Sequence, residues 1–203
     1  MIRDDVNSSK RRIVFLAGPF SAWEFGAEDV PPLQLLFEAN PEYFFAVSGR
    51  APVPDEAQRE FEDDPPPGMA FTKRWTIGFG DASGALVGMA GVCSDLMCPH
   101  VWHIGMFLVA NALHGTGVAQ ELYRHLEQWM RENGAHWIRL GVVQGRARAE
   151  RFWQKAGYLP MRARGPVEMG ARSNMLTVLM KPLTGGSPAE YLSLVVRDRP
   201  GEP

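Results

Sequence analysis

From about residue 70 onward, the hydrophobic positions fall into runs that alternate between strand spacing and helix spacing. Trp75, Ile77 and Phe79 alternate, Asp81-Ala82-Ser83-Gly84 turns the chain, and Leu86 to Cys93 returns, which predicts a hairpin. Val101 to Val109 predicts the next strand. Val118, Leu122, Leu126 and Trp129 then recur at helical spacing, and Asn133-Gly134 closes that helix. His136 to Val143 carries the β-branched and aromatic content of a strand. A second helix is expected from about Arg146 to Lys155, with Ala149, Phe152, Trp153 and Ala156 on one face and Gly157 at its end. Tyr158-Leu159-Pro160-Met161 starts a further strand, and Asn174 to Lys181 reads as the last one, stopped by Pro182.

Before residue 70 the texture differs. Arg12 to Ala17 reads as a first strand, and Asp29 to Glu38 as a helix with Pro31 and Pro32 in its first turn, where a missing N–H costs nothing. Helical pieces are expected at Pro41 to Val47 and at about Pro54 to Phe61, followed by a stiff loop from Glu62 to Gly68. Past Thr184 to Pro188, a linker, Tyr191 to Val196 is apolar and β-prone. Such a tail is expected to add to a sheet edge in its own chain or a partner's, which is the ground for expecting a homodimer.

Composition narrows the class. With 203 residues, 45% of them hydrophobic, one substantial core is expected. The organisation expected is one domain over residues 1–182, with the change of texture near residue 70 falling inside it, then a tail over 183–203. A formal charge of −2 and the lack of a basic tract argue against a nucleic-acid partner. No apolar run approaches the roughly 18 residues of a membrane span. The start, Met1-Ile2-Arg3-Asp4-Asp5, lacks the apolar stretch of a secretion signal. Cys93 and Cys98 do not make a disulfide framework, so a cytoplasmic location is expected.

The candidate chemistry lies where the Val101–Val109 strand runs through His114-Gly115-Thr116-Gly117 into the helix at Val118. Glycines let backbone N–H groups point outward, and the first N–H groups of a helix have no intrahelical partner. The helix dipole favours negative charge there, so the turn predicts a socket for a phosphate or pyrophosphate. The spacing is neither that of a nucleotide triphosphate loop nor Gly-x-Gly-x-x-Gly. By itself a glycine pair can equally serve to redirect the chain.

Two motifs together say more. His114-Gly115-Thr116-Gly117-Val118-Ala119 resembles the Arg/Gln-x-x-Gly-x-Gly/Ala cofactor motif of the GNAT superfamily of acyl-CoA-dependent N-acyltransferases. Ala149 to Tyr158 resembles that family's later signature, a small residue followed by Phe-Tyr-x-x-x-Gly-Phe/Tyr, here Phe152-Trp153-Gln154-Lys155-Ala156-Gly157-Tyr158. The resemblance covers residues 70–182. It implies an α/β (α+β) fold with a mixed, mostly antiparallel sheet, whose fourth and fifth strands splay to admit the pantetheine arm. It implies acetyl-CoA as acyl donor, an amine acceptor and direct transfer between them. Carried onto this chain, the cofactor residues are Phe107, Leu108, Val109, His114, Gly115, Thr116, Gly117, Val118, Ala119, Arg146, Phe152 and Trp153. Three departures stand out: His114 replaces Arg or Gln, Arg146 replaces a common Asn, and Trp153 replaces the Tyr that in many members protonates the departing thiolate.

The acceptor amine needs a base, and the family commonly uses a glutamate near strand four. No Glu lies between Glu62 and Glu121. His103, whose ordinary pKa suits neutral pH, is the first candidate, with Asp95 in the preceding loop. Tyr158 is the candidate acid. The resemblance places the acceptor under the segment after the first strand. Tyr43, Arg50, Glu56, Arg59 and Glu60 are its polar candidates, and Trp23, Phe44, Phe45, Phe71 and Trp75 its apolar ones. Cys93, Cys98, His100 and His103 also fall within eleven positions, but their spacing is not that of a standard zinc finger, and no metal is expected. The alternative to an enzyme is an acyl-CoA-binding sensor or interaction module without catalysis.

Overall fold

The structure is a computed structural model that describes residues 11–66 and 68–201. The Met1–Asp5 start and Pro67 of the expected stiff loop lie outside the described residues. The chain forms an eight-stranded sheet: β1 (Arg12–Ala17), β2 (Phe20–Glu24), β3 (Lys73–Gly80), β4 (Leu86–Ser94), β5 (Val101–Val109), β6 (Trp137–Val143), β7 (Leu159–Met169) and β8 (Arg172–Pro182). Their spatial order is β1-β2-β3-β4-β5-β6-β8-β7. Every pairing is antiparallel except β5 with β6. This is the mixed, mostly antiparallel α/β sheet expected.

Among the described residues six α-helices complete the fold: α1 (Val30–Glu38), α2 (Pro41–Val47), α3 (Glu56–Glu62), α4 (Val118–Glu132), α5 (Ala147–Lys155) and α6 (Pro188–Leu194). Strand alternation divides them between the two faces. On β4 and β5, Met89 and Leu108 point to one side, against Leu33, Leu36 and Phe37 of α1, Phe44 of α2 and Ala57 of α3. Ala90 and Val109 point to the other, against Leu122, Leu126 and Met130 of α4 and Trp153 of α5. Each side chain so buried contributes on the order of 1.5–3 kcal/mol.

Two elements depart from the pattern reading. The hydrophobic pattern does not predict β2: it is five residues long, and only its pairing with β1 and β3 distinguishes it from a loop. The Tyr191–Val196 tail is not a strand. Ser187 accepts from Glu190 N at 3.3 Å, the Glu190 side chain accepts from Ser187 N, and Pro188 takes the first turn. That capping box starts a helix where β-branched residues alone point to a strand. Tyr191 is fully buried against Val101, Trp137 and Met180 of the same chain. Tyr191 and Val195 are thus buried within the chain's own fold, and a helix adds to no sheet edge, so the strand-addition ground for expecting a dimer is absent.

Candidate active site

Strands β5 and β6 pair only from Val101–Trp137 to Ile104–Leu140. The separation has a local cause. Val92 pairs with Ile104 and Gly91 with Met106, so Gly105 is an extra residue on β5, a bulge at the end of the parallel ladder. Beyond it β5 continues beside β4 while β6 continues beside β8. The gap opens into a groove of about 690 Å³ lined by Phe107, Leu108 and Val109 on one side and Leu140 to Val143 on the other. α2 forms part of its wall through Tyr43, Ala46 and Val47. It is tied across the groove by Arg146 donating to Ala46 O, by Asn40 Oδ1 accepting from Asn111 N at 2.6 Å, and by Asn174 donating to Val47 O at 2.8 Å.

The glycine turn lies at the mouth of the groove. Gly115 and Gly117 have φ of 82° and 91°, left-handed values that side chains with a Cβ adopt at a cost of roughly 1–2 kcal/mol. Among the described residues, the N–H groups of Gly117, Ala119 and Gln120 find no acceptor, while Glu121 N already reaches Gly117 O at 3.1 Å. Open donors thus stand at the start of the 15-residue α4. Thr116 turns inward to Leu113 O (2.6 Å) and the His114 ring is bonded to Val109 O (2.8 Å), so both brace the turn. Arg146, Arg148 and Arg151 line the same groove, the last two beyond what the motifs pointed to. Left-handed glycines, free N–H groups and an arginine rim fit the phosphates of a CoA molecule, and the unpaired strand backbone fits its amide-rich arm. Phe152 and Trp153 line the groove from α5, packing edge to face at 4.9 Å.

Gly105 also lines a second, smaller cavity of about 260 Å³ on the far side of the bulge. Glu60 of α3 lies in its wall, close enough to β4 that a Cβ at Gly91 would sit 3.0 Å from its Oε1. Arg74 holds the end of α3 by donating to Glu60 O at 3.0 Å and to Phe61 O. Burial pushes the Glu60 carboxyl up to about 7, and the Arg74 charge offsets only part of that rise. Tyr43 faces the same group from the groove side. Burial, and then the charges of Glu60 and Glu56, raise its pKa and keep its hydroxyl protonated.

The other sequence candidates fall elsewhere or into other chemistry. His103 lines the small cavity, but burial and then the Arg139 guanidinium push its pKa down to about 3, leaving a weak base. Its Nδ1 is bonded to Arg139 O at 3.0 Å. Asp95 caps its own loop, accepting from His100 N at 2.7 Å. Tyr158 is buried in the core with its hydroxyl bonded to that of Tyr123 at 2.9 Å, and it lines neither cavity. Arg50 pairs with Glu56 at 2.7 Å and Arg59 with Asp55 at 2.8 Å, away from both cavities. Trp23 and Phe44 are core residues, and Trp75 stacks on Trp102 at 5.1 Å. Phe45 is exposed and Phe71 packs beside Cys93 and Leu96. The Cys93, Cys98, His100 and His103 set does not converge: Cys93 pairs with His103 across two strands, and the His100 ring stacks on His136. Among the described residues no group of three or more such side chains could hold a metal. No helix among them is long and apolar enough to cross a membrane.

A splayed mixed sheet with a helix N-terminus at the gap defines an acyltransferase fold. The sequence model of the acetyltransferase (GNAT) family matches residues 33–158, and the chain belongs to that family. The fold is similar to an acetyltransferase from Thermus thermophilus (TM-score 0.67, 17% identity, 83% of this chain and 100% of that one). It is also similar to a GCN5-related N-acetyltransferase from Kribbella flavida (0.61, 22%, 82% and 99%). A third is spermidine N-acetyltransferase from Vibrio cholerae, solved with CoA and spermine (0.62, 14%, 81% and 96%). No curated protein matches the chain significantly in sequence. The family uses acetyl-CoA and transfers acyl groups.

Proposed function

We propose that this protein is an N-acetyltransferase that takes acetyl-CoA in the β5–β6 groove and a primary amine in the cavity beyond Gly105. The observation that carries the reading is the junction itself. The groove and the cavity share Gly105, and a carboxyl with a pKa near 7 stands beside it. Phe107 to Val109 and the Gly115–Ala119 turn hold the donor, with Arg146, Arg148 and Arg151 at its phosphates. Acetyl-CoA supplies a thioester whose acetyl carbon bonds to the amine nitrogen as its bond to sulfur breaks.

Glu60 takes the proton that an ammonium acceptor must lose, because burial raises its carboxyl into the neutral range where a base is effective. The backbone at the Gly105 bulge, past the last β5–β6 pair, is assigned the charge that develops on the carbonyl oxygen. The Tyr43 hydroxyl, which lines the groove and keeps its proton, takes the role of the tyrosine that Trp153 displaces. His103 and Asp95 serve to shape the cavity and its loop, and Tyr158 to pack the core. Calorimetric titration with acetyl-CoA, CoA and NADH, followed by thiol detection across an amine panel, tests the reading. Micromolar binding of both CoA species, none of NADH, and thiol release that depends on an amine are expected. Binding without thiol release would leave a non-catalytic acyl-CoA sensor, and no binding would end the reading.

A further inference from the structure

The small cavity carries charges of both signs, and they are not equally satisfied. Glu60, Asp63 and Asp64 line it, with Arg74 beside them, and so do Arg139 and Arg164. Two of the three guanidinium groups are already engaged. Arg74 donates to the carbonyls that end α3 and lies 3.9 Å from Asp64. Arg139 is buried and bonded twice to Asp198, Nε to Oδ2 at 2.7 Å and Nη2 to Oδ1 at 2.9 Å. Asp198 also accepts from Tyr191, so the C-terminal segment folds back to neutralise Arg139 under the cavity floor.

Arg164 differs. Among the described residues its side chain has no ion pair and no hydrogen bond, although its backbone pairs with Leu176. Its pKa is lowered by partial burial and then by the neighbouring cations Arg197, Arg139 and Arg162, with Asp198, already bonded to Arg139, opposing them. A wall with a surplus guanidinium in a cation-rich corner lacks an anion. Both this corner and Glu60 line one cavity of about 260 Å³, so a small molecule bound there lies between a carboxyl and a guanidinium.

Building on the acetyltransferase reading, we propose that the acceptor is a small amine that also carries an anionic group, its nitrogen toward Glu60 and its carboxylate, or a phosphonate in its place, on Arg164. A polyamine or a neutral amine leaves Arg164 without its counter-charge and gains nothing from that wall.

The test uses the full-length protein, acetyl-CoA and matched acceptor sets: L-amino acids, their carboxamides, the corresponding decarboxylated amines, α-aminophosphonates, and spermine. The wild type is expected to turn over at least one anionic member with kcat/KM about 30-fold above its carboxamide. In Arg164→Gln that preference ratio should fall at least tenfold, mostly through KM. Arg164→Lys should restore part of it, which a merely structural role would not do. Preference for spermine or carboxamides, or a Gln variant that leaves the ratio unchanged, would overturn the inference while leaving acetyl transfer standing. Acetyl-CoA binding without turnover of any member overturns both, and loss of acetyl-CoA binding in the wild type overturns the acetyltransferase reading first.

Discussion

Replacing Glu60 with Gln should move activity and stability in opposite directions. The carboxyl is raised from 4.5 to about 7 because burial strips it of water, and Arg74 restores only part of the loss. At 1.36 kcal/mol per pH unit, that rise corresponds to roughly 3 kcal/mol against the ionised side chain in the folded state. A raised folded pKa means that the folded state holds the proton more tightly than the unfolded chain. The stability from this group is fully present below the unfolded value of 4.5 and is lost as pH rises through 7. Gln carries no charge and escapes the loss. The variant should therefore match the wild type near pH 4.5 and exceed it by about 3 kcal/mol at pH 8, roughly 6–12 °C in Tm for a chain of this size.

Activity should fall by about 10²–10⁴, the usual contribution of a general base. The wild-type kcat/KM should rise with pH to a plateau above about 7, with a limb that the variant lacks. Thermal melts from pH 4.5 to 8.5 and thiol-release kinetics over the same range read both effects. A wild-type profile that is flat through pH 7, or a Gln variant that is less stable at pH 8, would refute the assignment. His103→Ala is the control: with a pKa near 3, its removal should leave the limb at pH 7 in place.

Gly117→Glu should reduce acetyl-CoA affinity by about 100-fold in calorimetry, because a negative side chain enters the open turn and the left-handed φ of 91° must be borne by a residue with a Cβ. Asp198→Ala should cost about 3–5 kcal/mol in urea unfolding, since it leaves the Arg139 guanidinium buried and unpaired. Burial alone would raise the Asp198 pKa, but the Arg139 bonds outweigh it and hold it low. Its contribution to stability is accordingly present above the ordinary carboxylate range and is lost as pH falls through the depressed value, a slope that Asp198→Ala should flatten.

Most of the fold was legible in the sequence because periodicity and punctuation are local. The α4 stripe from Val118 to Trp129, the Asn133-Gly134 stop and the Val101–Val109 run each state their own structure, and the glycine turn announces its left-handed backbone. The tail shows where local signals compete: the Ser187-Pro188-Ala189-Glu190 cap outranked the β-propensity of the residues after it. The candidate site divides along the same line. The donor turn is contiguous, so its residues could be read in order. The smaller cavity, proposed to take the acceptor, is assembled from α3 and from β3 to β7, which are distant in sequence.

Nothing around Glu60 in the chain sets it apart from Glu56 or Glu62. Only the tertiary structure presses it against Gly91 and removes its water, while the same burial beside Arg139 disarms His103. Backbone conformation follows from neighbours in the chain, so the sequence alone determined where the donor turn lies. The protonation state of a side chain follows from the charges and solvent around it, and only the packed fold decided that the Glu60 carboxyl is raised while the His103 ring is lowered.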